Sequence, residues 1–204
     1  TATVANRSYN LAEVPLQIGA NEITAVGVDK AGNSATASIF VTREDTAGIA
    51  HIKIIAGNNQ ETTVGNQLET PLVVELLDEN ALPVPNTNVI FKVTENNGSL
   101  SDAENTSRTL AIETNAQGRA EVLWTLGSRS GAGNNVVEAS AIGFGTVFFT
   151  VSATPAPPGK INVDSGNHQV GAVEKPLALP LVSIVTDTGH NRLANIPITY
   201  RIIE

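Results

Sequence analysis

The stretch Ile52–Glu95, IKIIAGNNQETTVGNQLETPLVVELLDENALPVPNTNVIFKVTE, decides the fold because it occurs twice. Ile161–Glu204, INVDSGNHQVGAVEKPLALPLVSIVTDTGHNRLANIPITYRIIE, matches it at a constant offset of 109 residues and without a gap. Twelve of the 44 positions are identical, the pairs beginning at Ile52, Gly57, Asn58, Gln60, Val64, Leu68, Pro71, Leu72, Val73, Asp78, Asn86 and Glu95. Other pairs keep apolar character, such as Leu76 with Val185, Phe91 with Tyr200 and Val93 with Ile202. A fixed offset of about one domain length predicts tandem copies of a folding unit, each able to bury its own core.

The 204 residues therefore divide into one complete unit, 49–153, between two partial ones, 1–44 and 160–204. Charged residues are 16% of the chain and aromatics 4%, while Val, Thr, Ala, Asn and Gly are abundant, a profile that suits short strands and many turns. The formal net charge of −8, with no Lys or Arg run, argues against nucleic acid or an anionic membrane as partner. The absence of cysteine excludes a disulfide framework, a thiolate metal site and thiol catalysis. No apolar run reaches the ~18 residues of a membrane span, so no membrane insertion is expected. If the parent protein is exported, its signal is expected upstream of Thr1.

Alternation of apolar residues places strands at Ile52–Ala56, Leu72–Leu77, Asn88–Thr94, Thr109–Glu113, Ala120–Leu126, Asn135–Ala141 and Thr146–Ala153. Pro83 and Pro85 keep Asp78–Asn86 out of any central strand and make it a loop. Seven or so short strands with turns every ~8–12 residues predict an immunoglobulin-like β-sandwich. Ahead of it, Asn21–Val28 and Ala35–Thr42 flank the turn Asp29–Asn33 and form the last hairpin of another sandwich, with shorter strands at Ala2–Val4 and Tyr9–Leu16. The connectors are Arg43–Gly48 and Thr154–Gly159; three prolines in the second make it a semi-rigid spacer. The fold class is thus all-β: tandem immunoglobulin-like sandwiches, one complete and two partial.

Gly57-Asn58, Val64–Leu68, Pro71–Val74, Leu76–Pro85, Val89–Val93, Gly98–Ser101, Thr114–Leu126 and Asn134–Ala141 together resemble the bacterial immunoglobulin-like domains of the invasin and intimin group, called Big-1 domains. The likeness covers the middle unit and all of the third. The chain departs from the usual pattern at Ala81, where glycine often sits, and at Trp124, where a smaller apolar residue is common. Residues 1–44, with Gly19-Ala20-Asn21 and the DKAGN turn at Asp29–Asn33, look like a different bacterial immunoglobulin-like subtype. The resemblance implies a place in a large extracellular or cell-surface protein of bacteria, where strings of such units act as stiff spacers for adhesion. It implies neighbouring immunoglobulin-like units as partners, with any receptor engaged through other domains, and it carries no catalytic residues.

Candidate chemistry is sparse, and neither catalytic, cofactor-binding nor metal-ligating residues are expected. His51 opens a strand while His168 and His190 lie in loops, without HxxxH spacing, so solvated histidines outweigh a zinc site. Ser128 and Ser130 lie in a glycine-rich turn that lacks the elbow a nucleophile needs. Glu44, Asp45, Asp78, Glu79 and Asp187 could be imagined around calcium at the joints. Asp78 and Asp187 fit better as Asx-turn residues bonding their own loops. Trp124 shares a strand face with Ala120 and Val122, which makes it a core residue, not a sugar platform. Phe144 is the one aromatic candidate for a binding loop, and the sequons at Asn6, Asn97 and Asn105 carry little weight.

The leading expectation is a structural spacer in a multi-domain surface or filamentous protein, and not an enzyme. The alternatives are a module that binds carbohydrate or protein through its loops, and a subunit of a head-to-tail filament.

Overall fold

The computed structural model describes residues 3–5, 8–11, 14–45 and 48–203. Among these the chain is all-β, with no helix. The strands before the repeat are β1 (Thr3–Ala5), β2 (Ser8–Asn10), β3 (Gly19–Val28) and β4 (Ser34–Arg43). The middle stretch holds β5 (His51–Ala56), β6 (Glu61–Thr63), β7 (Leu72–Leu77), β8 (Asn88–Glu95), β9 (Ser99–Ser101), β10 (Thr106–Ser107), β11 (Thr109–Glu113), β12 (Arg119–Thr125), β13 (Gly131–Ala141) and β14 (Gly145–Thr154). Two more follow, β15 (Lys160–Ser165) and β16 (Val182–Thr186).

The middle strands form a β-sandwich of two five-stranded sheets, ordered β10-β9-β12-β7-β5 and β11-β8-β13-β14-β6. Every second residue of β7, β8 and β12 is buried, as the alternation predicts. Leu72, Val74, Leu76, Ala120, Val122 and Trp124 of the first sheet thereby share one core with Val89, Phe91, Val93, Val137, Phe149 and Val151 of the second. The Phe91 and Phe149 rings lie 6.5 Å apart at a 32° tilt, within the range favoured by ring quadrupoles.

The chain enters through one sheet and crosses to the other between β5 and β6. At the crossing Gly57 has φ +92°, and a Cβ there would run into the Pro71 carbonyl, so only glycine fits. Asn58 Oδ1 then accepts the Thr150 amide at 2.8 Å, pinning the crossover to β14. Gln60 clamps the corner, donating from Nε2 to the Gly57 and Thr70 carbonyls and accepting from the Thr70 amide. Directly after it, β6 runs parallel to β14. The short strands β6, β9 and β10 are absent from the sequence reading because none is long enough to show apolar alternation.

The C-terminal stretch repeats the β5 bulge and the corner clamp of this geometry. β15 spans the positions of β5 shifted by the repeat offset, and the bulge between Ile54 and Ala56 recurs between Val163 and Ser165. Gly166 has φ +84° and abuts the Pro180 carbonyl, and Gln169 bonds Gly166 and Leu179 as Gln60 bonds Gly57 and Thr70. Asn59, Ala81 and Asn86 have positive φ, and so do His168, His190 and Asn195 at the matching positions. Gly57, Gln60 and Asn86, identical in the two copies, are among the residues that fix these turns.

Residues 197–203, which match β8, form no strand, since no neighbouring strand lies beside them among the described residues. Burial differs accordingly: Ile52 is 6% exposed against 60% for Ile161, and Val93 3% against 98% for Ile202.

At the other end β3 and β4 form the hairpin expected around Asp29, whose Oδ1 accepts the Ala31 and Asn33 amides. Ile23, Ala25, Ile39 and Val41 share one face of it, while Val26, Val28 and Phe40 lie on the other. β1 pairs with β2, and their backbones run close to β13 and β14. The early strands are shorter than expected, since residues 14–16 are not in a strand; Ala2, Ala12 and Glu13 lie outside the described residues.

Candidate functional site at the interunit joint

The residues singled out from sequence fall into two groups. Those in the first have local structural roles. Trp124 is 1% exposed and belongs to the core. Phe144 is half-buried and packs against that core, and its carbonyl accepts the Ile52 amide. The His51 ring contacts the Ile49 carbonyl at 2.8 Å. Asp78 Oδ1 accepts the Asn80 and Leu82 amides, an Asx turn. Asn97 Oδ1 accepts the Ser128 amide and lies 3.3 Å from the Ser128 hydroxyl, and Asn105 bonds Asp102; Asn6 lies outside the described residues. Glu44, Asp45 and Glu79 are exposed. Among the described residues no three of His, Asp and Glu gather as a metal would require.

The second group converges where the sandwich meets the C-terminal strand pair. Asp187 is fully buried, and its oxygens take up four N–H groups. Oδ1 accepts the Asn191 amide at 2.8 Å, while Oδ2 accepts Asn191 Nδ2 at 2.8 Å and the Ala156 amide of the connector at 3.0 Å; Gly189 supplies the fourth. Burial pushes this carboxyl up, but the four donors more than offset it, and its pKa lies below the ordinary value. Asn191, also buried, reaches the sandwich: its Oδ1 accepts the Ser130 amide and its Nδ2 donates to the Ser128 carbonyl, both at 2.8 Å. A single asparagine therefore joins the connector-facing carboxylate to the β12–β13 loop.

In the first copy of the repeat the same loop carries Leu82 in place of Asn191, 60% exposed and without an amide to reach a neighbour. Asn191, Arg129 and Arg192 were not singled out from sequence. The available signal was local divergence of the repeat: Asn80-Ala81-Leu82-Pro83 becomes Gly189-His190-Asn191-Arg192.

The joint also gathers Ser128, Ser130, His190 and Asp187, the residue types of a hydrolase triad. Its geometry is not that of one. Asp187 is occupied by amides, and among the described residues the His190 ring makes no hydrogen bond that would orient it against a serine.

No family model and no curated protein matches the chain. Among solved structures, domains 4–9 of the surface layer protein SbsC are similar over 92% of this chain and 31% of that one, at 14% identity and a TM-score of 0.38. Parabacteroides merdae beta-glucuronidase is similar over 68% of this chain and 16% of that one, at 21% identity and a TM-score of 0.34. The chain thus spans less than a third of either protein. Among the described residues no helix is long and apolar enough to cross a membrane.

Proposed function

We propose that the chain is a spacer segment of a bacterial surface protein, built from tandem immunoglobulin-like units of the Big-1 kind, whose work is to hold other parts of the molecule at a distance. The observation that carries this reading is the joint. A spacer needs serial units and connections that do not bend freely, and the Asp187–Asn191 pair ties the second copy of the repeat to the first through buried and part-buried hydrogen bonds. Prolines 155, 157 and 158 stiffen the same connector.

Small-angle scattering in solution tests the reading. A compact chain of this length has a radius of gyration of about 17 Å. Three units of about 30 Å each, set end to end, give about 25 Å. The expected result lies near the larger figure, and a value near 17 Å excludes a spacer.

A further inference from the structure

The joint also presents two arginines, unpaired among the described residues, and a histidine in an acidic protein. Asn191 bonds the two residues that flank Arg129, namely Ser128 and Ser130, and is itself flanked by His190 and Arg192. Its docking therefore brings Arg129, His190 and Arg192 around one polar cleft of about 740 Å³. That volume lies within the range of small-ligand sites, roughly 300–1,000 Å³.

The cluster is rigidly based and electrostatically open. The Arg129 carbonyl accepts Nδ2 of both Asn96 and Asn134, and Arg192 is bridged to Thr186 of β16. Among the described residues the only ion pair found joins Arg119 to Glu75, on the outer face of the sandwich, which leaves both joint arginines without a carboxylate partner. No carboxylate lines the cleft; Asp187 lies behind it with its oxygens already bonded. Ser130, which also lines it, has a buried hydroxyl with no hydrogen-bond partner.

We propose that this cleft binds an oxyanion, a sulfate or carboxylate group, between the Arg129 and Arg192 guanidinium groups, with the His190 ring as a further donor. Guanidinium forks match such groups bidentately, and fixed backbones lower the ordering cost of binding. The group could be a free inorganic anion or belong to an anionic polysaccharide. The proposal stands apart from the spacer reading, because a joint can bind an anion whether or not its protein acts as a spacer.

Amide chemical-shift titration at constant ionic strength tests it, using sodium sulfate, a heparin-derived sulfated oligosaccharide and neutral dextran as probes. The expected result is saturable shifts confined to Ser128–Ser130 and Gly189–Arg192 with the sulfate, the sulfated oligosaccharide or both, and none with dextran. Saturation by sulfate alone marks a free-anion site, and tighter binding of the oligosaccharide marks a polysaccharide site. R129Q/R192Q should weaken binding at least tenfold while its other amide shifts stay in place, and the charge-keeping R129K/R192K should retain part of it. Absence of saturable shifts with either anion, or equal binding by R129Q/R192Q, overturns the proposal.

Discussion

Trp124→Ala is expected to destabilise the sandwich by about 3–5 kcal/mol, the cost of emptying the volume of a buried indole. Single domains are stable by only about 5–15 kcal/mol, so the variant should lose a large fraction of its margin. The residue is the largest fully buried side chain, on the central β12. Collapse around the cavity is limited because β12 is hydrogen-bonded on both sides, to β7 and to β9. A Cβ on Gly98 would come within 2.8 Å of Trp124 Nε1, so the β8–β9 turn is fitted to the ring. The indole N–H is buried without an acceptor, so Trp124→Phe, which deletes that donor and keeps a ring, should cost clearly less than the alanine variant. Urea unfolding followed by far-ultraviolet circular dichroism measures both.

The second large effect is expected at the joint. Asn191→Ala removes the acceptor of the Ser130 amide, a donor to the Ser128 carbonyl and one of the donors to buried Asp187. Losing a hydrogen bond to a charged group costs about 1.5–3 kcal/mol, and about 2 kcal/mol corresponds to roughly thirtyfold. Amide hydrogen exchange at Ser130 should accelerate by about that factor, while core amides of Leu76 and Val122 are unchanged. Leu82→Ala, at the matching exposed position, should leave the joint as it is. The pH dependence follows from Asp187. Its folded-state pKa is depressed below 3.8, so its contribution is complete above that value and is lost as pH falls through the folded pKa.

How far the sequence carries depends on the range of each interaction. The strands β7, β8 and β12 were legible because a half-buried strand writes its two faces into adjacent residues, as Leu72, Val74 and Leu76 do. The turns were legible through the repeat, since Gly57, Gln60 and Asp78 recur and make the same bonds at both sites. β6 was not, because its Glu61-Thr62-Thr63 segment is held by pairing with β14, some ninety residues on. Residues 197–203, which match β8 but form no strand, show the converse: an alternating pattern specifies a strand only where a neighbouring strand supplies the ladder. The joint lay beyond local reading. Asn191 meets Ser128 and Ser130 across 63 and 61 residues, and nothing in any short window of sequence marks that contact.

The central claim, that the second repeat is held at a fixed angle to the sandwich, is tested most directly by a distance measurement across the joint. The chain has no cysteine, so cysteines placed at the exposed strand positions Glu113 and Asn162 accept spin labels without background. Double electron–electron resonance should give one narrow distance distribution, broadened when Asn191→Ala is added. A broad distribution in the chain with Asn191 intact, unchanged by that substitution, would contradict the account.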